Sequence, residues 1–240
     1  MNNTQFLDVL KNSFLKCLKT SARSNEKLKI LHGAIAKDLY EKLDQQRDMA
    51  DRYSVFSLGF GNGKEIAISG RYVDKTVDIV INKNDVPVAG IAVKHVMSNY
   101  KQNSNNYFEN MLGETANIRG NRIPYFQILI IPDKMPYYNK NGEIKGWEII
   151  NENNLNKYNI MSNDNIETYL HTPNKTLVFI VSISKDKDCL LSDKDSYKKY
   201  YETKPFSVSA SSINIEFGCN IVYNNYEKFM RKVIHSILSL

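Results

Sequence analysis

The sequence contains little of what disulfide-stapled or zinc-binding proteins use. Cys17, Cys189 and Cys219 stand far apart and outside any Cys-x-x-Cys spacing, which argues against a disulfide framework and against a zinc site. The histidines form no ligand-spaced pair either, and they occur at His32, His95, His171 and His235. Function classes built on disulfides or on zinc are therefore not indicated.

Long hydrophobic runs are missing as well. No apolar stretch approaches the roughly 20 residues of a membrane span. The opening segment MNNTQFLDVLKNS also lacks the basic start and the apolar centre of a signal peptide. We therefore expect a cytoplasmic protein that has no membrane partner.

The composition is that of a folded and mildly basic domain. Hydrophobic residues make up 42% of the 240 positions, which is enough to bury the core of one compact domain. The 32 lysines and arginines exceed the 26 aspartates and glutamates, so the net charge is +6. This balance modestly favours a polyanionic partner such as nucleic acid.

One stretch organises the rest of the chain, and it reads TVDIVINKNDVPVAGIAVK from Thr76 to Lys94. Two runs rich in valine and isoleucine flank the polar turn NKND, a pattern that predicts a β-hairpin. Asp78 lies inside the first predicted strand and Lys94 ends the second. Burying either charge alone costs several kcal/mol, so each must be paired, metal-bound or catalytic.

Strand periodicity and a family motif both point to this hairpin. Ile91 and Val93 face one side of the second strand. Ala92 and Lys94 face the other side, roughly 6.6 Å apart along the strand, and are expected to flank one small site. Here the chain resembles the PD-(D/E)xK nuclease superfamily, whose motif has an acid on one strand and an acid, any residue and lysine on the next. Asp78 matches the first acid and Lys94 the lysine, but Ala92 stands where the second acid belongs.

The flanking segments follow the element order of that superfamily, which is a helix, a three-stranded meander, a second helix and a further strand. Apolar spacing predicts the leading helix over Lys27 to Leu43. Strands follow at Tyr53 to Phe60 and Lys64 to Ile81, then a helix in SNYKQNSNNYFENMLGETANIR and a strand at Tyr125 to Pro132. We expect an α/β (α+β) fold with a restriction-endonuclease-like core, in which helices flank a central mixed sheet.

The run NNYFENMLGETANIR resembles, more specifically, type II restriction endonucleases of this superfamily. The resemblance implies a Mg²⁺-dependent homodimer that hydrolyses double-stranded DNA at a short sequence. Asp78 would be the central metal ligand, the carbonyl of Val93 another, and Lys94 would position the attacking water. Carboxylates suit Mg²⁺, which lowers the pKa of bound water, and lysine supplies a compact charge for the transition state.

Ala92 leaves two explanations open, because its methyl group can neither bind a cation nor accept a proton. Either an acid has been replaced, which would impair the enzyme, or the carboxylate has moved to the following helix as Glu109 or Glu114. We favour replacement, because residue 92 lies where the acidic side chain should point. Glu41 on the leading helix is a further candidate by resemblance, although an exposed helix charge is its commoner explanation.

Three other side chains lie close to the motif in sequence. Asp74 shares a strand face with Asp78 if the strand between them is unbroken. Glu65 either reaches the site or marks the start of a strand. His95 follows Lys94 directly and should face the opposite way, as an ordinary core or surface histidine would.

DNA contacts are predicted from polar, basic and aromatic segments. A polar insertion at about 133–175 interrupts the core regions at about 27–132 and 177–217, and its length suits target recognition, dimerisation or a lid. Amides contact phosphates and adenine, although an AT-rich codon bias explains many asparagines equally. The candidate DNA contacts are Lys101, Gln102, Asn106, Tyr138, Asn139, Lys140, Lys198 and Lys199.

Amphipathic helices are predicted ahead of the core at 4–20 and after it in the C-terminal segment YEKFMRKVIHSILSL. Strands are predicted at 177–183 and 207–217. Two competing hypotheses remain: a DNA-binding pseudonuclease without catalysis, and an unrelated α/β protein in which Asp78 and Lys94 form a structural ion pair.

Overall fold

The computed structural model describes residues 1–20, 24–48, 50–186 and 189–240. The helices in these ranges are α1 (Asn3–Lys19), α2 (Glu26–Gln46), α3 (Tyr100–Arg119), α4 (Glu152–Ser162), α5 (Lys194–Thr203) and α6 (Tyr226–Leu238). The strands are β1 (Tyr53–Ser57), β2 (Ile66–Ser69), β3 (Asp74–Val77), β4 (Ile79–Lys83), β5 (Val86–His95), β6 (Tyr125–Pro132), β7 (Lys134–Tyr138), β8 (Ile144–Ile149), β9 (Lys175–Ile183), β10 (Val208–Ala210) and β11 (Ile221–Tyr223).

A mixed sheet forms the centre of the fold. Its strand order is β1-β4-β5-β6-β9-β10, and β11 pairs with β9. The β1, β4 and β5 strands are antiparallel neighbours, whereas β5, β6 and β9 are parallel. The predicted α/β class, with helices flanking a mixed sheet, is therefore confirmed.

The predicted hairpin is present as β4 and β5. Asn84 and Asp85 form its turn with φ angles of 51° and 67°. Positive φ at both central residues is what a two-residue type I′ turn requires, and asparagine and aspartate tolerate it better than most residues. The turn pairs Lys83 with Val86, and an irregularity between Ile81 and Asn82 then shifts the register by one residue, so that Ile79 lies opposite Ile91.

The chain departs from the expected meander just before this hairpin. β2 and β3 form a separate antiparallel pair, inserted between β1 and β4. Asp78 falls between β3 and β4, so the prediction that it lies inside a strand is wrong. The chain bends there because Val77 packs into a small cluster under the β2–β3 pair, whereas Ile79 packs into the main core.

Apolar side chains cover both faces of the central sheet. On one face, α1, α2 and α6 contribute Phe6, Leu39 and Phe229 to the largest buried cluster. On the other face, α3 and α4 contribute Tyr100 and Leu155 to a second cluster. The helices predicted at 4–20, 27–43, after Lys94 and at the C-terminus are confirmed to within a few residues.

The polar insertion at 133–175 is more ordered than its sequence indicates. It contains the β7–β8 hairpin and α4, and it buries Met135, Ile150 and Tyr158. Much of this region therefore packs into the second cluster. The strand predicted at 207–217 is wrong in extent, since only Val208–Ala210 pairs with β9.

The tyrosines that accompany the lysines near the C-terminal third have a packing role. Tyr197, Tyr200 and Tyr201 on α5 are buried and form a cluster with Phe14 of α1. Their rings are consequently occupied by the protein core and cannot stack on DNA bases. Within the described residues, no helix combines the length and the apolar character that crossing a membrane demands.

Candidate active site

Asp78 occupies the point where β4 stops pairing with β5. The ladder between the two strands ends at Ile79 and Ile91. Beyond it, the Asp78 carboxylate accepts a hydrogen bond of 2.6 Å from the backbone N–H of Val93. The hydroxyl of buried Ser57 donates to the Asp78 carbonyl at 2.7 Å, which fixes the backbone here. The side chain is thus held in an opening between two strands.

The two faces of β5 carry different residues, as strand periodicity predicts. Ile91 and Val93 belong to the large cluster beneath α1, α2 and α6. Ala92 and Lys94 line a cavity of about 280 Å³ on the α3 side, and Asp78 lines the same cavity. The three motif positions therefore converge on one accessible space.

Lys94 is exposed in part and stays close to an aromatic ring. Its Nζ lies 4.3 Å from the ring centroid of Tyr107 on α3. Burial lowers the pKa of Lys94, and the nearby carboxylates Asp78 and Glu114 act in the opposite direction. The Lys94 ammonium group thus lies against an aromatic ring of α3, with two carboxylates in its surroundings.

Val93 directs its backbone toward the same opening. In an antiparallel ladder, one residue offers both its N–H and its C=O to the same neighbouring strand. Because the Val93 N–H donates to Asp78, its carbonyl faces the same side. This orientation agrees with the predicted role of that carbonyl.

Of the acids considered as substitutes for the motif acid, Glu114 reaches the cavity. It lines the same space as Asp78 and Ala92. Its carboxylate is engaged by the Lys75 ammonium at 2.6 Å and by the Tyr125 hydroxyl at 3.4 Å. Glu109 is exposed on another face of α3. Glu41 is exposed and lies 3.8 Å from Lys37, which matches the surface interpretation.

Gln127 of β6 is an unpredicted component of the cavity. It is the direct cross-strand neighbour of Ala92, and its side chain lines the same space. In the part of the chain that the structure describes, its buried amide nitrogen has no hydrogen-bond partner. A buried donor without an acceptor is costly, and this one lies beside the motif position that lacks a carboxylate.

A second group of side chains meets Asp78 from the α2 side. The Nδ1 atom of His32 lies 3.9 Å from Asp78 Oδ1 and 3.8 Å from Glu65 Oε1. One ligand atom from each of the three residues lies within 4.8 Å of the others, a geometry able to hold a metal ion. His32 is almost fully buried, and in the described chain neither ring nitrogen has a hydrogen-bond partner.

Close backbone contacts bring this group together. A Cβ atom at Gly33 would lie 2.7 Å from the Gly59 carbonyl oxygen, and one at Gly59 would lie 2.3 Å from the Lys29 carbonyl oxygen. Gly59, Gly61 and Gly63 all have positive φ, which glycine adopts without strain. The loop after β1 therefore lies directly against α2, and it leads to Glu65 beside His32.

The groups around Asp78 shift its pKa in both directions. Burial has the largest effect and raises the pKa of Asp78. His32 and the Val93 N–H lower this pKa, whereas the neighbouring Glu65 and Glu114 raise it. The cavity thus holds a carboxylate that would gain from a nearby cation.

His95 lies on the face opposite to Ala92 and Lys94. It borders the spaces on the α1 and α2 side of the motif. Burial lowers the pKa of His95 to about 4, with His32 and Lys27 acting in the same direction. The ring is therefore neutral at physiological pH and adds no charge to this face.

A cationic groove of about 650 Å³ continues from Lys94 away from Asp78. It lies between the C-terminal end of α1, the start of α2 and α5. Its basic side chains are Lys27, Lys94, Lys194 and Lys198, with Tyr138 on the wall. Asp195 is an acid in the same lining, so the groove is predominantly but not wholly positive.

The predicted DNA contacts separate into two sets. Tyr138 and Lys198 line the cationic groove, whereas Lys140 and Lys199 are exposed nearby on the β7–β8 turn and on α5. Asn139 stabilises that turn, because its side-chain oxygen accepts from the backbone of Asn141 and Glu143. The residues on the first turns of α3 are exposed and lie outside the groove, namely Lys101, Gln102 and Asn106.

The sequence interpretation missed His32, which was set aside for lack of a ligand-spaced partner. One signal was available, since His32 lies on the apolar face of α2 with Leu28, Ile35 and Leu39. A titratable side chain on a core-facing stripe needs a partner. Asp74, by contrast, is exposed on β3 and is not part of the group around Asp78.

The comparisons of this chain with known proteins identified no related protein. No protein-family model matches the chain, and no significant match was found among curated proteins or solved structures.

Proposed function

We propose that this chain is a cytoplasmic, metal-dependent endonuclease for double-stranded DNA, of the type II restriction class within the PD-(D/E)xK superfamily, and that Ala92 impairs it. The observation that carries the proposal is the convergence of Asp78, Ala92 and Lys94 on one accessible cavity at the end of the β4–β5 ladder. The observed helix, antiparallel strands, helix and parallel strand from α2 to β6 support the resemblance.

Each of these residues has a task in phosphodiester hydrolysis. Asp78, together with the Val93 carbonyl, would hold the Mg²⁺ that the resemblance implies, and the carboxylates and imidazole around Asp78 fit a divalent cation. Such an ion supplies an activated water and a counter-charge for phosphate oxygens. Lys94, whose Nζ lies over the Tyr107 ring, would orient that water and stabilise developing negative charge.

The surroundings of residue 92 favour replacement of an acid over its migration. Among the residues that the structure describes, the amide nitrogen of Gln127 beside Ala92 has no hydrogen-bond partner, and a carboxylate at position 92 would accept from it. Glu114 is the alternative acid in the cavity, but Lys75 and Tyr125 already engage its oxygens. Glu114 therefore already serves as the ion-pair partner of Lys75 in the unmodified chain.

Restoring the acid tests the proposal. The Ala92→Glu variant is expected to nick and linearise supercoiled plasmid in the presence of Mg²⁺ or Mn²⁺, with a rate at least ~100-fold above that of the unmodified chain. Ala92→Gln is the matched control, because it has the same size without the charge, and it is expected to stay as inactive as the unmodified chain.

Two results would contradict this account. If Ala92→Glu is no more active than the unmodified chain, replacement is wrong. If the unmodified chain already cleaves plasmid and Glu114→Gln abolishes that cleavage, the carboxylate has migrated. Adding Lys94→Ala to the Ala92→Glu variant should remove the restored activity.

A DNA-binding pseudonuclease is the second candidate, and Ala92 itself favours it. In that case DNA binding persists while Ala92→Glu restores no cleavage. Both candidates place DNA along the groove of Lys94, Lys194 and Lys198, so binding should weaken steeply with added salt. A homodimer belongs to the proposal, because two-fold symmetry lets two such sites cut both strands of a palindrome.

A further inference from the structure

We infer that His32, Glu65 and Asp78 form a mixed nitrogen and oxygen site that binds a first-row transition-metal ion, represented by Mn²⁺, in preference to Mg²⁺. The site deepens the proposed function, because Asp78 is shared with the catalytic cavity. Its existence is nevertheless tested through ion binding, which needs no DNA cleavage.

His32 is a buried polar side chain whose ring nitrogens are unsatisfied among the described residues. It is 1% exposed, and both of its ring nitrogens are buried without a hydrogen-bond partner among the described residues. Leaving a buried polar group unpaired costs roughly 1–3 kcal/mol per group. A metal ion on Nδ1 would satisfy that nitrogen.

The distances from His32 to its acidic neighbours also suit a shared ion. At 3.8 Å from Glu65 and 3.9 Å from Asp78, Nδ1 is too far for a hydrogen bond to either carboxylate. Two ligand atoms bound to one ion at about 2.1 Å can lie up to ~4.2 Å apart. The separations from His32 therefore suit an ion shared between the imidazole and each carboxylate.

The group around His32 is accessible from solvent through its two carboxylates. Asp78 and Lys94 line the cavity beside Ala92 and also a second cavity of about 310 Å³ on the α2 side, where His32 lies. The side chains of Asp78 and Glu65 remain 30% and 24% exposed. An ion can consequently reach the group from solvent, although His32 itself is buried.

The donor set determines which ion is preferred. Mg²⁺ favours oxygen ligands in a near-ideal octahedron and retains its waters. Imidazole nitrogen raises the affinity for first-row transition metals. The preference for Mn²⁺ over Mg²⁺ should therefore depend on His32, whereas the two carboxylates should contribute to the binding of both ions.

The test is isothermal titration calorimetry of the unmodified chain with MnCl₂ and with MgCl₂ at pH 7.5. Mn²⁺ is the appropriate probe, since Zn²⁺ would also bind the free thiols of Cys17, Cys189 and Cys219. We expect one Mn²⁺ per chain, bound at least ~10-fold more tightly than Mg²⁺. His32→Gln should lower Mn²⁺ affinity at least ~10-fold and change Mg²⁺ affinity by less than ~3-fold. His235→Gln, at an exposed position on α6, should change neither.

Glu65→Gln provides a second variant in case His32→Gln does not fold, because Glu65 is partly exposed. It is expected to weaken the binding of both ions. The inference is overturned if the unmodified chain binds no Mn²⁺, if it binds the two ions equally, or if Mn²⁺ affinity survives both substitutions. Persistent Mn²⁺ binding in His32→Gln, with altered pH dependence of stability, would instead assign His32 to an ion pair. None of these outcomes depends on whether Ala92→Glu cleaves DNA.

Discussion

At the scale of single residues, Asp78 combines a structural contact with an electrostatic cost. Its carboxylate completes the hydrogen bonding of the Val93 N–H, yet burial raises its pKa above the usual value for aspartate. Functional sites commonly retain such groups at the expense of stability. The cost is expected to disappear when a cation binds.

Asp78→Asn should therefore stabilise the metal-free protein at pH 7. The Asn oxygen can still accept from Val93, while the partly desolvated charge is removed. We expect a gain of about 1 kcal/mol in the free energy of unfolding, or roughly 2–4 °C in Tm. Thermal unfolding followed by circular dichroism measures it, with Asp74→Asn at an exposed position as the control.

The sign of the pH dependence follows from the same shift. Because the folded-state pKa of Asp78 is raised, its contribution to stability is complete below its ordinary pKa of 3.8. That contribution is lost as the pH rises through the higher folded-state value. Asp78→Asn should remove this loss, so the stability difference between the two proteins should grow with pH in that window. A variant less stable than the parent at pH 7 would contradict the account.

Some residues of the candidate site were predicted from the sequence and others were not. Asp78, Ala92 and Lys94 were predicted because two strands and a short motif define them locally. His32 and Gln127 were not, because each meets the site through a contact between segments distant in sequence. Periodicity predicts which face of an element a residue occupies, but it does not predict which face of another element will lie opposite.

At the scale of elements, the loop after β1 sets the geometry of the site. Gly59, which has a positive φ, lets this loop lie directly on the backbone of α2 at Lys29. The sequence GNG predicted a turn here, but the packing of Gly59 against Lys29 and Gly33 was not predictable from composition. This contact fixes the distance between the helix that carries His32 and the segment that carries Glu65.

Gly59→Ala should disrupt that contact. Its Cβ would lie 2.3 Å from the Lys29 carbonyl oxygen, and its φ of +79° is unfavourable for alanine. We expect a loss of roughly 2–4 kcal/mol in the free energy of unfolding and weaker Mn²⁺ binding. Urea denaturation measures the first effect.

Gly113→Ala is the matched control for that substitution. It lies in α3 with no atom within 4 Å of the added Cβ, so alanine should be neutral or stabilising by up to ~1 kcal/mol. If Gly59→Ala behaves like Gly113→Ala, the loop does not constrain the site as described.

Elements also show where sequence prediction fails. Helix bounds were predicted well because apolar spacing at 3.6 residues extends over many turns. In α5 the sequence singled out Lys198 and Lys199 as DNA contacts, but it did not predict that Tyr197, Tyr200 and Tyr201 pack on Phe14. Their burial depends on the position of α1, more than 170 residues earlier in the chain.

At the scale of the whole molecule, the net charge of +6 becomes informative through its distribution. Four lysines line one groove that begins at Lys94 and runs along α5. A groove of this sign concentrates polyanions near the motif. The excess of positive charge, which alone only modestly favoured a nucleic-acid partner, is thus partly concentrated in a groove that reaches Lys94.

Both proposals require that Asp78 binds a divalent cation in the opening between β4 and β5. An anomalous difference map from crystals of the chain soaked in Mn²⁺ would locate such an ion. We expect a peak within coordination distance of Asp78 that is also in contact with His32 or Glu65. A map with no peak at Asp78, or with Mn²⁺ only at surface acids elsewhere, would contradict this expectation.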